Sequence, residues 1–116
     1  ADRRSIESGK SSAQLNGFDN IRWINAHVPP AVERLAQRRE RFAKIVLDPP
    51  RAGAKGIDRD LAVLDPRKIL YVSCNPTTLA RDASALAKHG YKLLSVQPFD
   101  LFPHTFHVEV IATLTR

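Results

Sequence analysis

The sequence predicts an α/β fold built on one mixed, largely parallel sheet with helices packed on both faces. Two observations carry that prediction. Short apolar runs rich in β-branched residues, at 44–47 and 68–73, alternate with segments whose apolar residues recur at helical spacing. The two runs also stop abruptly at Asp48-Pro49-Pro50 and at Asn75-Pro76. Proline cannot donate to a strand ladder, so both runs end as buried strands that open into loops. A third observation makes the sheet mixed. The last two apolar runs follow one another with no helix between them, which suits an antiparallel pair and an antiparallel C-terminal strand.

Taken in order, residues 3–15 form an amphipathic helix marked by Ile6, Ala13 and Leu15, and Asn16-Gly17 stops it with residues that tolerate left-handed backbone. Residues 21–25 alternate and carry Ile21, Trp23 and Ile24, the pattern of a short strand. Pro29-Pro30 opens a second helix over 31–41, with Val32 and Leu35 on its apolar side. After the strand at 44–47 come a helix over 58–64 and the strand at 68–73. A helix over 77–89 follows, with Leu79, Ala83, Leu86 and Ala87 in register and Gly90 at its end. Strands at 91–98 and 108–115 close the chain. Ligands of open α/β sheets sit beyond the carboxyl ends of the strands, which puts Asp48 and Cys74 side by side at the functional edge.

A hydrophobic fraction of 43% and a charged fraction of 26% exclude wholesale disorder, and 116 residues suit one domain. The formal net charge of +6 favours a polyanionic partner, nucleic acid first, with a merely solvated basic surface as the alternative. The cations group as Arg34, Arg38, Arg39, Arg41 and Lys44, and again as Arg51, Lys55, Arg59, Arg67 and Lys68 around the strand ends. Cys74 is the single cysteine, so no intrachain disulfide and no all-cysteine metal site can form within one chain. No apolar stretch reaches the roughly 18 residues that cross a membrane, and no signal-peptide pattern opens the chain. Cytoplasmic localisation is the expectation.

Three segments carry groups fit for chemistry. In Asp48-Pro49-Pro50-Arg51-Ala52-Gly53 a carboxylate sits on a stiff loop with few backbone donors; it suits a fixed ligand contact, or a strand-terminating turn in which Asp48 caps the next helix. In Ser73-Cys74-Asn75-Pro76 the thiol lies between a strand end and a helix N-terminus, where backbone N–H groups and the helix dipole favour an anion. A lone cysteine is more often a small buried hydrophobe, but such residues sit inside elements and not at the edge where a sheet binds its ligands. In Phe102-Pro103-His104-Thr105-Phe106-His107-Val108-Glu109, the carboxylate of Glu109 opens an otherwise apolar strand. Buried unpaired it would be costly, and a carboxylate so placed serves as a base; an exposed strand-edge glutamate is the alternative. His104 and His107 lack the third spaced ligand of a metal site, and none is expected.

The strings DPPRAG, YVSCNPTTLARD and FPHTFHVE, in this order and on this pattern of strands, resemble the 5-methyluridine RNA methyltransferases, that is, the S-adenosylmethionine-dependent RNA (uracil-5-)-methyltransferases. The resemblance covers essentially the whole chain. It implies a Rossmann-like class I methyltransferase fold, a three-layer αβα sandwich. It implies Cys74 as the nucleophile that attacks the uracil, Glu109 as the base that takes a proton from it, and Asp48 as the carboxylate of the cofactor and target pocket. His27 stands where the family pattern often has Asn or Asp near the cofactor adenine. Pro49, Arg51, Asn75, Pro76 and His104 line the substrate pocket in this reading. S-adenosyl-L-methionine is the implied cofactor, and tRNA or rRNA the implied partner. A cytosine-C5 RNA methyltransferase and a non-catalytic RNA-binding fragment are the other readings.

The resemblance also implies that residues 1–116 are the C-terminal portion of a catalytic domain. The family's first two strands are absent, with the glycine-rich cofactor loop and the ribose-gripping acid they carry, and the isolated chain is expected to be inactive. The sheet is then left with an open edge. The strand at 21–25 can slide over to pair with 44–47, a second copy can fill the gap to give a homodimer, or the N-terminal third can detach from a core of 44–116. Apolar cover for Ile21, Trp23 and Ile24 favours the first two, with self-association ahead.

Overall fold

A computed structural model describes residues 2–101, 104 and 108–116. The elements run α1 (Arg3–Leu15), α2 (Val28–Gln37), β1 (Lys44–Leu47), α3 (Asp58–Val63), β2 (Lys68–Ser73), α4 (Pro76–Ala87), β3 (Lys92–Phe99) and β4 (Glu109–Thr115). The four strands form one sheet in the order β1-β2-β4-β3. β1 and β2 are parallel, and β4 lies antiparallel between β2 and β3. β3 therefore runs in the same direction as β1 and β2, and the expected antiparallel C-terminal strand is present.

Local sequence explains most of the element ends. Pro29 and Pro30 fall in the first turn of α2, where a missing N–H costs nothing. That helix starts earlier and stops earlier than its apolar spacing suggests. Arg38 caps it, and Arg39 takes left-handed backbone at φ 54. The chain then turns so that the Phe42 N–H donates to Leu64 O at 3.1 Å, which leads it into β1. Asn75 caps α4 by accepting from the Thr77 N–H at 3.0 Å, with Pro76 as the first helical residue.

The core lies on one face of the sheet. β2 and β4 bury alternate residues, and Ile69, Tyr71, Ala112 and Leu114 are all at most 1% exposed. Ile57, Leu61, Leu64, Leu79 and Leu86 from α3, α4 and the loop ends close over them, with Ala36 of α2 alongside. Right-handed crossovers explain this one-sidedness. β1–α3–β2 and β2–α4–β3 both step the same way across the sheet, so both helices land on the same face. A helix reaches the opposite face only where strand order reverses, and no reversal occurs in β1-β2-β4-β3. The described residues thus supply the sheet and one helical layer of the sandwich. On the uncovered face Val46 is 66% exposed, and Leu70, Val72 and Ile111 are half-buried.

Residues 21–25 do not form the expected strand. Alternation supplies the propensity for a strand but not a ladder partner, and among the described residues β1 hydrogen-bonds only to β2 in this sheet. The segment instead lies against α1 and α2. The Trp23 ring rests so close to Gly9 that a Cβ there would meet it at 2.9 Å, and Arg22 pairs with Glu40 at 2.6 Å. The sliding of this segment onto β1 is therefore not what the chain adopts. α1 buries no residue. The radius of gyration of 15.2 Å accordingly exceeds the roughly 13 Å of a compact domain near this size.

Candidate active-site edge

The carboxyl ends of β1 and β2 bring two motifs together. Leu47 pairs with Tyr71, so Asp48 follows β1 level with the last residues of β2, and Cys74 follows β2 directly. Ser73 pairs with Val110 across the antiparallel ladder. Cys74 and Glu109 are each one residue beyond that pair, so the register sets them next to one another at the same edge. By alternation Glu109 falls on the sheet face opposite the buried Val110. Cys74 is exposed and Glu109, the first residue of β4, is half-buried.

The Cys74 turn is held from both sides. The Ser73 hydroxyl, on a buried residue, accepts from the Asn75 N–H at 3.0 Å and donates to Asn75 O at 2.9 Å. Asn75 reaches further with its Nδ2 and donates to Arg51 O at 3.3 Å, and the Thr78 hydroxyl donates to the same carbonyl at 3.1 Å. Arg51 and Asn75, expected in one pocket, are thus joined by the Asn75 side-chain amide and the Arg51 carbonyl. Pro76 starts α4 beside them. Asp48 does not cap the next helix, because α3 begins after Ile57 and has no side-chain cap.

Sequence reasoning missed the group beneath these loops. Asp82 of α4 is 5% exposed. Its Oδ2 accepts from the Ala54 N–H at 2.7 Å and from the Tyr71 hydroxyl at 2.5 Å. Its Oδ1 accepts from Arg81 Nε at 2.9 Å and Arg81 Nη2 at 2.8 Å, and Nη2 also donates to Ala52 O at 2.8 Å. Burial, reinforced by the neighbouring Asp82 carboxylate, pushes the Tyr71 hydroxyl pKa far above its usual value, so Tyr71 remains a donor. A clue was present in the sequence: Asp82 falls on the Leu79, Ala83, Leu86 stripe, and a charge on an apolar stripe asks for partners.

Beside β1 a cleft of about 300 Å³ opens at the free edge of the sheet, lined among others by Val28, Pro29, Asp48, Pro49, Lys55 and Ile57. Its walls are mainly apolar, with one carboxylate and one cation. His27 is the N-cap of α2, immediately before the lining Val28 and Pro29; it is exposed and makes no side-chain cap bond. His104 is exposed with left-handed backbone at φ 64. The other residues of its motif, Phe102, Pro103, Thr105, Phe106 and His107, lie outside the described residues. No three metal-ligating side chains converge among the described residues.

These features define a class before a family. The chain superposes on precorrin-6Y C5,15-methyltransferase of Geobacter metallireducens with a TM-score of 0.66 at 13% identity, covering 99% of this chain and 63% of that one. The fold is the Rossmann-like α/β fold of methyltransferases. At 31% identity it superposes on the Pyrococcus abyssi tRNA (uracil-54, C5)-methyltransferase, solved with S-adenosyl-L-homocysteine, with a TM-score of 0.74 over 98% of this chain and 27% of that one. Residues 31–116 match the tRNA (uracil-5-)-methyltransferase family, and the chain belongs to it. The 23S rRNA (uracil(1939)-C(5))-methyltransferases RlmD of Photorhabdus laumondii and Klebsiella pneumoniae are each 40% identical over 96% of this chain. The chain spans about a quarter of the length of these relatives, 25% and 26%.

Proposed function

We propose that this chain carries the nucleophile and base of an S-adenosylmethionine-dependent enzyme that methylates C5 of a uracil in tRNA or rRNA. The supporting observation is the register that sets Cys74 and Glu109 side by side at the edge where Asp48 also ends its strand. C5 of uracil is a poor nucleophile. Addition of the Cys74 thiolate to C6 forms a C–S bond and moves the ring π electrons toward O4, which makes C5 an enolate carbon. S-adenosylmethionine, when bound, supplies the electrophilic methyl group. Glu109 then takes the C5 proton. The electrons of the C5–H bond re-form the C5–C6 double bond as the thiolate leaves.

The cleft beside β1 fits part of that cofactor. Apolar walls from Val28, Pro29 and Ile57 suit a planar ring, and Asp48 can accept from its N–H groups, with His27 at the rim. In this reading Pro49, Arg51, Asn75 and Pro76 shape the path to Cys74, and His104 is a further substrate contact. A stacked uracil must be extruded to reach the thiol. The exposed Arg51 and Lys55 offer phosphate contacts around the edge. The polypeptide carrying this sequence, incubated with S-adenosylmethionine and unmodified rRNA or tRNA, should yield 5-methyluridine on nuclease digestion and mass spectrometry. Appearance of 5-methylcytidine instead, or of no methylated pyrimidine, overturns the reading.

In the same reading the 116-residue chain by itself is inactive and self-associates. Among the described residues the outer edge of β1 has no ladder partner, and Val46 on the adjoining face is 66% exposed. Sedimentation of the isolated chain should show a dimer that grows with concentration. A single monomeric species across the range removes this part.

A further inference from the structure

We propose that Asp82 is a positioning residue that locks the loop carrying Asp48 and Arg51 onto the turn carrying Cys74, so that the target-base pocket is assembled before RNA arrives. This deepens the proposed function and rests on it. Asp82 touches neither Cys74 nor the cleft in the contacts described above; it acts through the loops it joins.

The geometry supports a lock more than a generic core contact. A carboxylate is an acceptor at every lone pair, and here four N–H and O–H groups converge on it from three separate places. The Ala54 N–H belongs to the loop after β1. The Tyr71 hydroxyl belongs to β2, three residues before Cys74. Arg81 belongs to α4 and returns to the same loop at Ala52 O. Asn75 and Thr78 fasten the next carbonyl, that of Arg51. The loop is thus tied down at residues 51, 52 and 54, all from the first two turns of α4 and its cap. Gly53 lies in the middle of the clamp at φ +79, and a Cβ there would fall 2.5 Å from Asp82 Oδ2. The loop approaches so closely that only glycine fits, as a lock with no slack requires. The alternative assignment is simple stability, in which Asp82 satisfies buried donors and nothing more.

Asp82→Asn separates the two. The amide keeps the shape but turns one acceptor into an NH2 group, so donors from one side are left facing a donor. The polypeptide carrying this sequence would be compared with Asp82→Asn and with Thr78→Val, which removes one tie to Arg51 and leaves Asp82 intact. Three readouts apply: the rate of covalent adduct formation with RNA containing 5-fluorouridine, alkylation of Cys74 by iodoacetamide, and hydrogen exchange at the Ala54 amide. In Asp82→Asn, adduct formation should fall about 10- to 100-fold through the maximal rate and not through the RNA concentration at half-maximum, because misplaced groups cost orientation and not affinity. Alkylation of Cys74 should stay within about twofold, since a small reagent needs no pocket. The Ala54 amide should exchange faster. Thr78→Val should lower adduct formation less, with Ala54 exchange unchanged. Adduct formation at the wild-type rate in a folded Asp82→Asn overturns the inference and leaves the proposed function standing. Unchanged Ala54 exchange overturns it even if the parent protein forms no adduct, which is the separate failure of the proposed function.

Discussion

In the polypeptide that carries this sequence, Cys74→Ala should abolish the covalent adduct with RNA containing 5-fluorouridine and lower methyl transfer by on the order of 10⁴-fold or more. Fluorine at C5 cannot leave as a proton, so once Cys74 has added to C6 and the methyl group has arrived the adduct cannot collapse, and the trapped species reports both of those steps. Alanine has nothing to add to C6, and no neighbouring group can replace the sulfur. Ser73 is buried, and its hydroxyl is engaged on both sides of Asn75. The exposed side chain of Cys74 contributes little to the core, so the fold should be retained, with a change in stability within about 0.5 kcal/mol. Cys74→Ser should behave like the alanine variant, since an alcohol far above the reaction pH in acidity is a weak nucleophile without a partner base. The measurement is denaturing electrophoresis of protein incubated with the fluorinated RNA and cofactor. An adduct of undiminished yield in Cys74→Ala would falsify the assignment.

Much of this arrangement follows from sequence, for reasons that can be stated residue by residue. β1 and β2 are runs of apolar residues cut off by Pro49 and Pro76, and α4 has both its cap and its stripe written locally. Their order along the chain is enough to put Asp48 and Cys74 at one edge, because parallel strands in one sheet share a carboxyl end. What is not local was harder to read. Residues 21–25 alternate as a strand should, yet a strand exists only with a ladder, and partners are not encoded within five residues. Helices on two faces need a reversal of strand order, and that depends on which side of β2 the strand β3 lies, which apolar runs do not specify. β3 carries Leu93 and Val96 like a core strand, but they are 52% and 49% exposed because β3 is the edge. The Asp82 lock was hidden for a similar reason. Its partners Ala54 and Tyr71 are 28 and 11 residues away, and one of them contributes only a backbone N–H.

Glu109→Gln should leave the first step intact and stop the last. Glutamine is isosteric with glutamate and keeps the strand start of β4, so the pairing of Glu109 with Phe99 in β3 and of Val110 with Ser73 in β2 is undisturbed. It cannot accept a proton at neutral pH. After addition of Cys74 and arrival of the methyl group, C5 carries both a methyl and a hydrogen, and the ring can regain its double bond only when that hydrogen leaves as a proton. With no base at that position, the RNA should accumulate joined to Cys74, already methylated. Release should slow by about 10²- to 10⁴-fold, the usual worth of a positioned base. The position argues for Glu109 over Asp48, because the register continues from Ser73–Val110 to set Glu109 opposite Cys74, whereas Asp48 follows β1 level with Val72. Ordinary uridine RNA should therefore give a stable protein–RNA species in Glu109→Gln and not in the parent, and mass spectrometry of the cross-linked peptide should show Cys74 bearing a methylated pyrimidine. Adduct formation at the parental rate distinguishes this from a general structural loss, in which both steps would slow together. Product release at the parental rate removes Glu109 from the mechanism and turns the search to the loop that carries His104.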